Sequence, residues 1–239
     1  MAGRSLEDTR RWMAEGTSLF EAALARVGDD AVTGPSALPG WTRGHVVAHI
    51  AANAEALRNL AHWARTGEET PMYTSPEQRG ADIESGATRP AGELRQWALS
   101  SAKHLEEDLG ALDQDQWAHE VRTAQGRIVP AREVPWMRSR EVMVHAVDLG
   151  TGLRFGDLRA DFLTALVDDI VTKRSSDPTG PALVLTADES GQTWTLPGTG
   201  TPTPVRGPLA GIAAYLAGRD PHEAADADGH TAPPLPRWL

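Results

Sequence analysis

Thr42-Arg43-Gly44-His45-Val46-Val47-Ala48-His49-Ile50 opens a segment whose apolar residues continue through Leu57, Leu60 and Trp63 until Gly67 interrupts it. Apolar positions three and four apart mark a helix with one buried face, and Thr42 is a good N-cap for it. His45 and His49 then stand one turn apart on the same side of that helix. A second segment runs from Pro135 through Met137, Val142 and Leu149 to Gly150 and Gly152, and carries Glu141-Val142-Met143-Val144-His145 followed by Asp148. Proline suits a first helical turn and glycine the residue beyond a last one. Two amphipathic helices with polar groups set among their apolar positions predict a helical bundle with a polar site inside it.

The flanking sequence supplies the remaining elements. Ser5 with Asp8 resembles a capping box, and Leu6, Met13, Phe20, Leu24 and Val27 recur at helical spacing up to Gly28-Asp29-Asp30. A Pro/Gly segment from Gly34 to Gly40 leads into Trp41 and Thr42. After Gly67 a polar loop containing Pro71, Pro76 and Gly80 precedes a helix that begins after Pro90 and buries Leu94, Trp97, Leu105 and Leu109. Residues 120–129, with Gly126 near their middle, read as a small hairpin, and a fifth helix is predicted from Asp157 to Lys173. The composition changes at Ser175-Ser176-Asp177-Pro178. Beyond it, Ala182–Thr186 and Gln192–Leu196 look like strands joined by an Asp188–Gly191 turn, and a third strand surrounds Val205. A helix over Leu209–Leu216 and an acidic, Pro-rich tail complete the chain. The expected fold is mainly α: an up-and-down helical bundle over residues 1–174, then a small α+β domain over residues 175–239.

Composition excludes several classes. The 239 residues suit one large domain or two ordinary ones, and 23 Lys+Arg against 33 Asp+Glu leave a net charge of −10. Nucleic-acid affinity rests on clustered basic residues, so no nucleic-acid partner is expected. The chain has no cysteine. That rules out disulfides, thiolate zinc sites and a Cys nucleophile, and any thiol chemistry needs an external thiol. No apolar run reaches the roughly 18 residues of a membrane span, so no membrane partner is expected. Met1-Ala2-Gly3-Arg4-Ser5 leads into a charged amphipathic stretch and not an apolar signal core, which predicts a cytoplasmic protein. Eight tryptophans outnumber the five Phe and Tyr; Trp12, Trp41, Trp63, Trp97, Trp117, Trp136 and Trp194 are expected to supply core volume, not an aromatic cage. Trp238, in the tail, either packs back on the body or is exposed.

In a bundle, His and Glu from two inward faces can converge on one metal, and a catalytic site needs three ligands with a fourth position open. Taken singly, each pair reads as solvated helix residues or a surface ion pair of little worth. Val46, Ile50, Val142 and Leu149 flank both pairs on the buried side, however, and buried polar groups need partners that a metal would supply. Spacing alone leaves open whether His45 or His49 is the ligand. Val46 stands where a zinc protease needs its glutamate, the one Glu-x-x-x-His is short of a di-iron set, and no Gly-x-Ser-x-Gly elbow exists. Gly198-Thr199-Gly200 lacks the rest of a dinucleotide fingerprint and is expected to be a turn. Arg79, in Arg79-Gly80-Ala81-Asp82-Ile83-Glu84, and Arg219, in Ala217-Gly218-Arg219-Asp220, are candidate carboxylate clamps, because a guanidinium presents a planar bidentate fork.

Leu38-Pro39-Gly40-Trp41-Thr42-Arg43-Gly44-His45-Val46-Val47-Ala48-His49, Arg79-x-x-Asp82-Ile83-Glu84, Arg140-Glu141-x-x-x-His145-x-x-Asp148-Leu149 and Gly218-Arg219 together resemble the mycothiol-dependent maleylpyruvate isomerases, a family of DinB-like metal-binding four-helix bundles. The resemblance spans nearly the whole chain. It implies a divalent metal, usually zinc, on His49, Glu141 and His145, with His45 a neighbour one turn nearer the helix start. It also implies that Arg219 reaches the metal pocket and binds substrate, with Arg79 a weaker candidate. The implied activity is cis–trans isomerisation of maleylpyruvate to fumarylpyruvate, a step of aromatic degradation in the gentisate pathway. A metal-bound mycothiol thiolate would add to the double bond and be eliminated, so the implied cofactors are the metal and mycothiol. The implied partners are a small-molecule substrate and a low-molecular-weight thiol, and the chain is expected to be a monomer. Two alternatives stand beside this reading: a mycothiol S-transferase acting on another electrophile, and a non-catalytic metal-binding regulatory protein.

Overall fold

The computed structural model describes residues 4–219, 224–226 and 229–236; Trp238 lies outside the described residues. The described residues form two compact units, residues 5–153 and the described residues from 154 onward, the second including Arg4.

The first unit contains α1 (Leu6–Ala25), α2 (Arg43–Thr66), α3 (Pro76–Ala87), α4 (Ala91–Gly110), the antiparallel pair β1 (Glu120–Arg122) and β2 (Ile128–Pro130), and α5 (Val134–Asp148). Helix α1 lies along α5, and α2 lies along both α4 and α5, which makes the four-helix bundle. Ser5 starts α1 by accepting a hydrogen bond from the Asp8 N–H, and Trp12, Met13, Phe20 and Leu24 form its buried stripe. At Gly16 the helices run so close that an added Cβ would stand 2.6 Å from Val142 Cγ2. One apolar cluster gathers Phe20, Leu24, Val46, Ile50, Leu94, Val142 and Leu149. A second gathers Leu57, Leu60, Leu105, Leu109, Trp117 and Val134. Among these lie buried polar residues, His49, Asn53, Arg138, Ser139 and Asp148, each of which needs an internal partner.

The polar loop expected around Pro76 and Gly80 is instead helix α3. Ser75 caps it by accepting from the Gln78 N–H, and Pro76 occupies its first turn. Only Ile83 and Gly86 of this helix are buried, so it shows almost no apolar periodicity. Gly86 is what lets it lie down on the bundle: a Cβ there would stand 2.7 Å from Trp97 Cζ3 and 2.9 Å from Ala48 Cβ.

The second unit contains α6 (Ala160–Ser175), β3 (Pro181–Ala187), β4 (Thr193–Leu196), β5 (Thr199–Gly207), α7 (Leu209–Leu216) and β6 (Ala225–Asp226). Its sheet has the order β4-β3-β5-β6. The β3–β4 hairpin is antiparallel, β3 and β5 run parallel, and β6 adds an antiparallel edge strand. Leu183, Leu185 and Ala187 alternate inward along β3. Helix α6 packs against α7 and β4, and Trp194 Nε1 donates to Asp168 at 2.6 Å. The boundary expected between residues 174 and 175 therefore falls at 153/154: periodicity shows that α6 has a buried face, not which partner covers it. Thr199 and Gly200 belong to β5, so the Gly-Thr-Gly stretch begins a strand and is not a free turn. Among the described residues no helix is long and apolar enough to cross a membrane.

Candidate active site

Helix α2 begins with a reciprocal cap. Thr42 Oγ1 accepts from the His45 N–H, and the Thr42 N–H donates to His45 Nδ1 at 3.2 Å. His45 Nε2 lies 3.2 Å from Glu84 Oε2 of α3. Both nitrogens of His45 are thus committed to holding α2 and α3 in place. His49, one turn on, is buried and faces α5, where its Nε2 lies 2.9 Å from Glu141 Oε2. His145 Nε2 lies 3.4 Å from the same oxygen. One ligand atom from each of His49, Glu141 and His145 lies within 4.8 Å of the others. The two imidazoles meet edge to face with centroids 4.8 Å apart.

The end of α5 is tied to the loop ahead of α2. Arg43 Nε donates to the Leu149 carbonyl at 2.9 Å, and the Ala37 N–H donates to the Asp148 carbonyl at 2.8 Å. These bonds register the two site-bearing helices. Trp41, from the same loop, sets its ring 5.7 Å from that of His49 and walls the site, so this tryptophan does more than fill volume.

Electrostatics separate the three groups. Burial by itself would raise the Glu141 carboxyl, but hydrogen bonds from His145 and His49 hold it well below its usual range. Burial lowers His49, and Glu141 offsets this only in part. Burial also works against a charged His145, yet the hydrogen bonds to Asp148 and Glu141 outweigh it and raise its pKa. His145 Nδ1 stands 2.8 Å from Oδ2 of the fully buried Asp148. Arg79 Nη2 is 3.3 Å from His49 Nδ1. A guanidinium has no acceptor, so Nδ1 accepts and the His49 ring proton sits on Nε2, facing Glu141.

A divalent cation fits this arrangement. Two imidazoles and a carboxylate suit borderline metals such as zinc. Ligand atoms at 2.0–2.2 Å from a tetrahedral zinc stand about 3.3 Å apart, and the two separations to Glu141 Oε2 are 2.9 and 3.4 Å. A carboxylate behind a ligating histidine, here Asp148, is the usual orienting partner. A cation on Nε2 would place the His49 ring proton on Nδ1, and Arg79 Nη2 would then release His49.

The structure thus brings together His49, Glu141, His145 and Arg79. Arg219 lies in the second unit just after α7, where its Nη1 donates to the Ala217 carbonyl and its backbone N–H to the Ala214 carbonyl. Residues not singled out from sequence also border the cluster. Asn53 is one turn beyond His49, and Arg138 one turn before Glu141, with Arg138 Nη1 donating to Asn53 Oδ1 at 2.9 Å and to the Ile50 carbonyl at 2.7 Å. Their helical spacing from His49 and Glu141 was the available signal. Tyr73, from the α2–α3 connection, lies under Arg79, whose Cζ is 5.6 Å from its ring centroid. No periodicity announces it.

Family models match both units. Residues 5–150 match the mycothiol maleylpyruvate isomerase N-terminal domain, and residues 157–236 match the MDMPI C-terminal domain. No curated protein sequence matches the chain. Two solved structures do, a mycothiol-dependent maleylpyruvate isomerase and a histidine-to-alanine mutant of it. Each is 42% identical, with 98% of both chains covered and a TM-score of 0.94. Motifs, site geometry and these matches agree, and the chain belongs to the mycothiol maleylpyruvate isomerase family.

Proposed function

We propose that the chain is a mycothiol-dependent isomerase of maleylpyruvate that holds one divalent metal, zinc, on His49, Glu141 and His145. The observation that carries this reading is the cluster itself: three ligand atoms within 4.8 Å, on the bundle's two central helices, with a guanidinium beside them. When bound, the metal would lower the pKa of a coordinated thiol enough to make it a thiolate at neutral pH. That supplies the nucleophile a chain without cysteine lacks.

Held there, mycothiol would supply a thiolate for reversible addition to the cis double bond, and its later elimination would leave the trans product with no atom gained. The protein's part is to bind and orient. Arg79, released from His49, clamps a substrate carboxylate, and Arg219 supplies a second guanidinium for the other carboxylate or the enolate. Asp148 holds the His145 ring, and Trp41 keeps one side of His49 dry. The reading makes the chain a cytoplasmic monomer with only small-molecule partners.

The decisive experiment is an ultraviolet assay of maleylpyruvate turnover by gel-filtered, metal-loaded protein. Activity should be absent without thiol and return with mycothiol, while glutathione or free cysteine substitutes poorly. Full turnover in thiol-free buffer would refute the mechanism.

A further inference from the structure

Only 1% of Arg138 is exposed to solvent, although it is a charged residue inside a helical bundle. Burial pulls its pKa down to about 10, with Glu141 opposing, so the guanidinium stays charged at neutral pH. Its two hydrogen bonds both leave from Nη1 and both cross to α2, at 2.7 Å to the Ile50 carbonyl and at 2.9 Å to Asn53 Oδ1. Its Nε has no hydrogen-bond partner, and among the described residues it makes no ion pair. Glu141, the nearest acid along α5, turns its Oε2 to the two histidines instead. A buried charge without an ion pair is expensive, and a well-packed apolar side chain would stabilise the bundle as well or better. The best-attested use of such a group is to fix register.

Its position says which register. Arg138 stands one turn before Glu141 on α5, Asn53 stands one turn beyond His49 on α2, and Ile50 follows His49 directly. Residues three and four apart share a helix face, so the Arg138–Asn53 bond runs beside the His49–Glu141 contact. Past the candidate ligands, at the end of α5, Arg43 Nε holds the Leu149 carbonyl and the Ala37 N–H holds the Asp148 carbonyl. The polar links therefore come in antiparallel order. Ala37 and Arg43 join Asp148 and Leu149, His49 joins Glu141, and Ile50 and Asn53 join Arg138. Arg43 and Arg138 thus bracket the three candidate ligands. Apolar packing is non-directional and by itself lets two helices slide or rotate slightly, whereas ligand distances must hold to about 0.2 Å.

We infer that Arg138 is a positioning residue for the metal centre: with Asn53 and the Ile50 carbonyl it forms a strut that keeps His49 of α2 and Glu141 of α5 at a common coordination distance. The inference rests on the metal reading proposed above. Arg138 touches neither ligand; it acts through the backbone of α2 beside His49 and through its own place on α5.

Two measurements on the full chain test this without turnover: zinc affinity by chelator competition, and the visible absorption of the cobalt-loaded protein, which reports ligand geometry. Arg138→Met leaves Asn53 Oδ1 unpaired, so its melting temperature should fall along with its zinc affinity. Arg138→Met with Asn53→Leu replaces both partners by apolar groups, a change that can be nearly neutral for stability. That double variant should melt near the wild type yet bind zinc about tenfold more weakly, the lower end of the loss for groups that hold a ligand from outside. Its cobalt spectrum should shift as well. Arg138→Lys keeps the charge without the fork and should recover part of the affinity that Arg138→Met loses. An arginine that merely stabilises the bundle predicts instead that affinity and spectrum return with the melting temperature in the double variant. Wild-type zinc affinity and cobalt spectrum in either methionine variant overturn the inference while leaving the metal reading intact. A wild-type chain that binds no stoichiometric zinc overturns both.

Discussion

Asp148 is the residue on which the proposed metal centre most depends without supplying a ligand. Its carboxylate is fully buried and stands 2.8 Å from His145 Nδ1, which fixes the ring so that Nε2 faces Glu141. Partners of this kind are worth about 10- to 100-fold in metal affinity. Asp148→Asn should therefore fold, bind zinc weaker by about that factor in a chelator competition, and lose activity in proportion. Ala at His49, Glu141 or His145 should abolish stoichiometric metal, whereas His45→Ala should keep it and lose only its part of a cap worth about 1 kcal/mol. Full zinc occupancy in Glu141→Ala and His145→Ala would remove the assignment. The residue types of this site were visible as two polar pairs on apolar faces. The choice between His45 and His49 was not, because both share a helix face. What separates them physically is that the N-cap at Thr42 and Glu84 of a neighbouring helix engage His45.

The elements tell a similar story. Helices α1, α2, α4 and α5 were legible because each sets a long apolar stripe against a neighbour. Helix α3 was not, since Pro76, Gly80 and Gly86 resemble loop punctuation and only one large apolar side chain, Ile83, is buried. Yet α3 carries Arg79, so what was missed is the element that aims a guanidinium at the cluster. Gly86→Val tests that role. The added side chain meets Trp97 and Ala48 well inside contact distance, an overpacking worth about 1–3 kcal/mol. At about 2–4 °C per kcal/mol for a chain of this size, the melting temperature should drop by several degrees. Metal content should persist, because α3 holds none of the candidate ligands, while the KM for maleylpyruvate rises. A variant with wild-type melting and kinetics would show that α3 tolerates displacement and that Arg79 needs no fixed perch.

At the scale of the whole molecule the family match runs through both units, but the candidate metal ligands all belong to the first. Whether the second unit takes part in turnover comes down to Arg219. Its local bonds, to the Ala217 and Ala214 carbonyls, are those of a residue closing helix α7. A purely local role predicts that Arg219→Ala costs a little stability and no activity. A substrate-carboxylate role predicts the reverse. Charge-assisted hydrogen bonds are worth about 1.5–3 kcal/mol; at about 1.4 kcal/mol per tenfold, kcat/KM should fall roughly ten- to a hundredfold with metal content and melting intact. Arg219→Lys should recover only part of that loss, because an ammonium keeps the charge without the bidentate fork. Steady-state kinetics beside a melting curve on the two variants separate the roles: unchanged kcat/KM in Arg219→Ala would confine the chemistry to the first unit, and a loss that lysine only partly repairs would make the second unit a partner in catalysis.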